Sequence, residues 1–179
     1  KTTLSNILTK FYKIEKNKIF FNNTDINDID RTSFYKNISY VMQEDYIYDN
    51  IIKYNIDLGK HYTESEIKNA LEKAEFLNTV EKLPLKYQTY IGEGGIKISG
   101  GQKQRLILSR NIISTPKILI IDDGLTGLDI ETRKKVIKNI TKNKNITLII
   151  ISNVIDDIKD ADKIYILENK TLKEVGGIK

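Results

Sequence analysis

The run KILIID at residues 117–122 limits the possible folds more than any other stretch of this chain. Four aliphatic residues in succession leave no polar face, so the strand they form must be covered on both sides, as in a parallel sheet packed between helices. The run NITLIII (145–151) repeats the pattern, and the stretch between them, ETRKKVIKNITK, has the spacing of a helix. A buried strand, a helix and a second buried strand form the repeating unit of a parallel α/β sheet.

The rest of the chain extends this reading. TTLSNILTKFY carries Leu4, Ile7, Leu8 and Phe11 at helical spacing, and KIFFNN predicts a short strand entering an Asn-Asn turn. A short helix is expected over 31–37 and a strand over ISYVM (38–42). TESEIKNALEKAEFLNTVEKL opens with a capping box, Thr63 and Glu66, and predicts one helix that stops before Pro84. YQTYIGEGG reads as an extended loop. Leu106, Ile107, Ile112 and Ile113 place a helix from Gly100 to about Thr115, closed by Pro116. VIDDIKDA suggests a short helix, and DKIYIL with KTLKEV a closing hairpin. Residues ~50–115 are helix-rich and interrupt the alternation, as an inserted helical subdomain would.

Composition sets outer bounds. The 179 residues fit one domain, and 40% hydrophobic content supplies a core. With no cysteine, disulfides and thiolate metal sites are excluded. The single histidine, His61, lies in the polar stretch GKHYTES and reads as a loop residue. The net charge of +5 comes from scattered lysines without a basic block interleaved with aromatics, so no nucleic-acid partner is expected. No apolar run approaches the ~20 residues of a membrane-spanning helix.

Three stretches offer chemistry. Lys1-Thr2 is either a lysine beside a helix-capping threonine or the end of a phosphate loop of the form G-x-x-x-x-G-K-[ST]. In ISGGQKQR (98–105), two glycines open a helix, whose bare N–H groups and positive dipole end suit an anion, with Ser99 adding a hydroxyl; the plainer alternative is a glycine turn that only caps the helix. Asp122 and Asp123 follow an apolar strand, where one carboxylate can hold Mg²⁺ on a nucleotide and the next can polarise water, or where both merely begin a turn.

Taken together with Gln43, these stretches resemble, in order and spacing over essentially the whole chain, the nucleotide-binding domain of an ATP-binding cassette (ABC) transporter. Lys1, Thr2 and Thr3 match the end of the Walker A loop, Gln43 the Q-loop, Ser99, Gly100, Gly101 and Gln102 the family signature, Asp122 the Walker B aspartate, and Leu128-Asp129 the end of the D-loop. The resemblance implies ATP and Mg²⁺ as cofactors. It assigns Lys1, Thr2, Thr3, Ser99, Gly100, Gly101, Gln102 and Asp129 to the nucleotide, Thr2, Gln43 and Asp122 to the metal, and Asp123, Gln43 and Asn153 to catalysis. It implies a P-loop NTPase-like α/β core over about 1–48 and 116–179 with a helical subdomain over about 49–115. The glycines of the phosphate loop and the strand feeding it, which is expected beside KILIID, would precede Lys1 and lie outside this chain.

YVMQEDYIYDNII and TYIGEGGIKISGGQ resemble exporter stretches, the second of which, Tyr90 to Gly94 here, lies near the membrane domain in that family. The implied function is therefore the ATP-hydrolysing domain of an exporter. Its implied partners are a transmembrane domain and a second nucleotide-binding domain, and its implied place is the cytoplasmic face of the membrane.

Three positions depart from the family pattern. Asp123 stands where a glutamate usually serves as general base, and its carboxylate is set back by about 1.5 Å, when a shift of ~1 Å can cost ~10²-fold in rate. Asn153 replaces the switch histidine and cannot become cationic. Gly124-Leu125-Thr126-Gly127 replaces proline-threonine-serine-alanine, and two glycines are expected to loosen that turn. A weak catalytic set beside an intact signature resembles the degenerate member of an asymmetric exporter pair, which favours a heterodimer over a homodimer. The other readings are a non-functional fragment, a soluble non-transport cassette ATPase and a non-hydrolysing subunit.

Overall fold

Along residues 1–42 and 45–177, which the computed structural model describes, the elements run in chain order. The first half holds α1 (Thr2–Leu8), β1 (Phe20–Phe21), β2 (Thr24–Asp25), α2 (Arg31–Asn37), β3 (Ile38–Val41), α3 (Ile52–Asp57), α4 (Glu64–Lys73) and α5 (Leu77–Glu81). The second half holds α6 (Gly100–Ile112), β4 (Ile118–Asp122), α7 (Ile130–Thr141), β5 (Thr147–Ile151), β6 (Ile164–Glu168) and β7 (Thr171–Gly176). Single 3-10 turns fall at Lys86–Gln88, Glu93–Gly95 and Ile155–Asp157.

The KILIID strand is the middle of a three-stranded parallel sheet, ordered β3-β4-β5, with Ile120 opposite Tyr40 on one side and Ile149 on the other. Leu119 and Ile121 enter a cluster with Val41, Leu148 and the helices α3 to α7, while Ile118 and Ile120 enter a second cluster with Ile26, Phe34 and Ile38. The sheet is therefore covered on both faces, as its unbroken apolar strand requires. Leu119, Ile120 and Ile121 are fully buried, each contributing roughly 2 kcal/mol. Because β4 is paired along both edges, no further strand can lie beside KILIID, which overturns that expectation.

Other differences have local causes. The first helix ends at Leu8, where the Thr9 amide caps it, and Phe11 lies beyond it and exposed. Its deepest residues are Ser5 and Thr9 rather than the apolar stripe, because Ser5 bonds to Asp122 and the Thr9 hydroxyl back to the Ser5 carbonyl. The single helix expected over 63–83 is two helices, α4 and α5. Its capping box is present, but α4 closes at Ala74 with Glu75 in the left-handed region (φ +55°), the Glu75 amide on the Glu72 carbonyl and the Phe76 amide on the Leu71 carbonyl. This is a Schellman closure with glutamate in the place that glycine usually takes, so nothing in the composition marks it. Arg105 braces the break by donating to the Glu75 carbonyl at 2.8 Å. VIDDIKDA forms only a 3-10 turn, while the Asn22-Asn23 turn and the closing hairpin stand as expected, both asparagines having positive φ.

Candidate functional site

The carboxyl end of β4 gathers the chemistry. Asp122 is buried there, 5% exposed, and its Oδ2 accepts from the Ser5 hydroxyl at 2.7 Å and the Tyr40 phenol at 3.1 Å. Among the described residues its Oδ1 accepts no hydrogen bond. Burial pushes the Tyr40 phenol up, with the Asp122 charge adding to the shift and the Ser5 hydroxyl opposing it, so Tyr40 stays a donor at neutral pH. A buried carboxylate with one oxygen held and one bare fits a hard cation, and Thr2, exposed at the start of α1, offers a hydroxyl on the same helix as Ser5. No group of three or more acidic, histidine or cysteine side chains that could hold a metal occurs among the described residues. Mg²⁺ does not need one, since it takes one or two carboxylates and completes its shell with phosphate oxygens and water.

Asp123 follows in the left-handed region (φ +49°), a conformation that aspartate tolerates, and its amide donates to the Ile151 carbonyl at 2.9 Å. Its carboxylate lies 3.9 Å from the Lys1 ammonium. Lys1 and Asp123, the two ends of a 123-residue span of sequence, are thus brought together by α1, which is seated against β4 and also holds Asp122 through Ser5.

The turn after β4 is tight rather than loosened, contrary to expectation. Gly124 and Gly127 do not use positive φ; they permit close approach. A Cβ on Gly124 would sit 2.6 Å from Val41 Cγ1, and one on Gly127 2.9 Å from Gln104 Oε1. Gln104 accepts from the Gly127 amide at 2.8 Å and its amide reaches the Thr126 hydroxyl at 3.5 Å, which fastens this turn to α6.

The signature residues begin α6. Ser99 is its N-cap and forms a full capping box with Gln102: the Gln102 amide donates to Ser99 Oγ at 3.3 Å, and the Ser99 amide to Gln102 Oε1 at 2.9 Å. The Gly100 and Gly101 amides have no partner among the described residues. A Cβ on Gly101 would meet the Gly127 carbonyl at 2.9 Å, whereas one on Gly100 would meet nothing within 4 Å. Packing within this chain explains Gly101 but leaves Gly100 open to something outside it. No hydrogen bond or ion pair among the described residues links Ser99, Gly100, Gln102 or Asp129 to Lys1, Asp122 or Asp123.

Asp129 is the N-cap of α7, accepting from the Thr132 amide at 2.9 Å and its hydroxyl at 2.6 Å, and the Thr132 side-chain bond leads in holding its carboxyl below the ordinary range. Asn153 is exposed in the bend after β5. Beside it, buried Asp157 accepts from the Ser152 hydroxyl at 2.8 Å and pairs with Arg133 of α7 at 2.9 Å. Gln43 lies outside the described residues. Four side chains at this site were not singled out from sequence: Ser5, Tyr40, Gln104 and Arg133. Ser5 alone left a trace, as a polar residue between apolar positions of an amphipathic helix.

A lysine and a pair of carboxylates at the carboxyl end of a parallel strand, outside a doubly covered sheet, are the kind of arrangement a P-loop fold presents to the phosphates of a nucleotide. The chain belongs to the ABC transporter family, whose model matches residues 1–126. It is 34% identical to an ATP-dependent lipid A-core flippase of Desulfotalea psychrophila, covering 98% of this chain and 31% of that protein. It is 33% identical to the mitochondrial iron-sulfur clusters transporter atm1 of Aspergillus fumigatus, covering 98% of this chain and 25% of that protein. Among solved structures, a bacterial Atm1-family ABC exporter with ATP bound matches with a TM-score of 0.90 and 29% identity, over 96% of this chain and 30% of that one. The chain thus spans between a quarter and a third of the length of these relatives.

Proposed function

We propose that this chain is the ATP-binding and ATP-hydrolysing part of a membrane exporter and drives transport through a transmembrane domain from the cytoplasmic face of the membrane. The observation that carries the reading is that α1 brings Lys1 to Asp123 and Ser5 to Asp122 at the end of β4. Lys1 holds the terminal phosphates, Thr2 and Asp122 hold the metal with Gln43, and Thr3 contributes at the start of α1. Bound there, Mg²⁺ would neutralise charge on the β- and γ-phosphate oxygens. Asp123 orients and deprotonates the attacking water, and Asn153 offers its amide to the γ-phosphate. Residues 49–115 act as the helical subdomain and the remainder as the core.

In this reading Ser99 to Gln102 and Asp129 serve a nucleotide on a second nucleotide-binding domain rather than the site at β4. Support comes from the open space at Gly100 and, among the described residues, from the unpartnered glycine amides and the lack of any bond from these residues to Lys1, Asp122 or Asp123. Asp123 in place of glutamate and Asn153 in place of histidine favour an asymmetric pair in which this chain's own site turns over slowly.

The test is ATP binding and turnover by the protein alone and co-expressed with its partner. Lys1→Ala and Asp122→Asn should weaken ATP·Mg²⁺ binding, and unaltered binding in both would sink the nucleotide reading. In the pair, Gly100→Asp should abolish most turnover and Asp123→Asn little of it; the reverse ranking would refute the asymmetry.

A further inference from the structure

We infer that Ser5 and Tyr40 are positioning residues for the metal-side carboxylate, holding Asp122 by one oxygen so that the other is presented to the magnesium of a nucleotide complex; this rests on the nucleotide-binding reading above. The two hydroxyls arrive from different elements, Ser5 from α1 at 117 positions' remove and Tyr40 from β3 at 82, and both choose Oδ2. Ser5 is fully buried, and the aliphatic neighbours Leu4, Ile7 and Leu8 are less so. Burying a serine where a leucine is available is unfavourable unless the hydroxyl has work to do. Oδ1 has no hydrogen-bond partner among the described residues and is not sealed from solvent, so it stays available to a cation.

The clamp acts by orientation. An aspartate side chain turns about its last torsion with a broad, two-fold preference, so an unheld carboxylate would offer either oxygen. Two donors on Oδ2 fix the plane of the group and leave Oδ1 without a hydrogen bond among the described residues. Hydrogen bonds that orient a metal's ligand typically change metal affinity by about tenfold or more.

The test uses the whole protein with Ser5→Ala, Tyr40→Phe and both together. Mn²⁺ binding to the protein–ADP complex is measured by electron paramagnetic resonance, nucleotide binding without metal by a fluorescent ATP analogue, and folding by thermal unfolding. Each single variant should weaken Mn²⁺ about tenfold and the double variant further, with metal-free nucleotide affinity unchanged. An Mn²⁺ affinity that is unchanged or tighter overturns the inference, as does an equal loss of Mn²⁺ and metal-free nucleotide binding. Should Ser5→Ala unfold the protein, Tyr40→Phe decides alone, because Tyr40 is only partly buried. A wild-type protein that binds no nucleotide overturns both this inference and the reading beneath it, whereas normal wild-type binding with unaffected variants overturns this inference alone.

Discussion

The amide of Gly127 donates to Oε1 of Gln104 at 2.8 Å, so the turn that follows β4 is fastened directly to α6, which begins at Gly100. Gly127→Ala would place a Cβ 2.9 Å from that oxygen. The Gln104 side chain is flexible and can swing away, so the expected loss is the hydrogen bond, about 1 kcal/mol. In a Gln104→Ala background the same change should cost almost nothing. Urea unfolding of the two single variants and the double variant checks the coupling.

Gly100 and Gly101 should separate binding from stability. Gly101→Ala drives a Cβ to 2.9 Å from the Gly127 backbone carbonyl, which cannot yield as a side-chain tip can, so it should lower the melting temperature. Gly100→Ala meets nothing and should leave the melting temperature unchanged, or raise it slightly through helix propensity. Loss of partner-dependent turnover in a normally stable Gly100→Ala protein is the expected signature of a backbone surface meant for a ligand.

Arg133→Leu should be among the costliest single changes away from the carboxyl end of β4. It strands the Asp157 carboxylate, 3% exposed, leaving the Ser152 hydroxyl as its one side-chain partner among the described residues. Removing one member of a buried pair typically costs 3–5 kcal/mol, by which scale about 3 kcal/mol is expected here. Asp157→Asn in the same background should recover part of it, as read by denaturant unfolding.

Asp25 gives the fold an acid dependence. The Asn27 amide first, then the Asn17 amide, bond to its carboxylate and hold it below the ordinary carboxylate range. A depressed folded value means that the contribution is complete above the unfolded value of about 3.9 and is lost as pH falls through the folded one. Asp25→Asn should therefore be less stable than wild type at neutral pH, with the gap closing in acid. Thermal unfolding across that range measures it, and a gap constant with pH would contradict the assignment.

The sheet was legible because its signal is local. Four adjacent aliphatic residues state that both faces of β4 are covered, but they do not say which strands flank it, and the neighbour expected from before Lys1 gave way to β3 and β5. The closure of α4 was not legible, because Glu75 takes a left-handed conformation that its side chain does not advertise and that the bracing by Arg105, from a distant helix, helps to hold. The site divided in the same way. Asp122, Asp123 and the signature lie at ends of elements whose limits the sequence marks, and Ser99 with Gln102 even carries the same cap spacing as Thr63 with Glu66. Ser5 and Tyr40 act only through a carboxylate far along the chain, and no local pattern encodes that distance. The glycines at 124 and 127 suggested slack when read alone, yet their neighbours Val41 and Gln104 show them to be points of contact.

The shared apolar cluster has a thermodynamic consequence. Ile52, Leu71 and Val80 of the helical stretch and Leu119, Ile121 and Val136 of the sheet layer belong to one buried body, so opening the helices would expose the sheet face to water. Residues 49–115 should not melt ahead of the rest as an independent unit. Amide exchange in α4 and in β4 should report the same opening free energy, and heat should unfold the chain in one cooperative step.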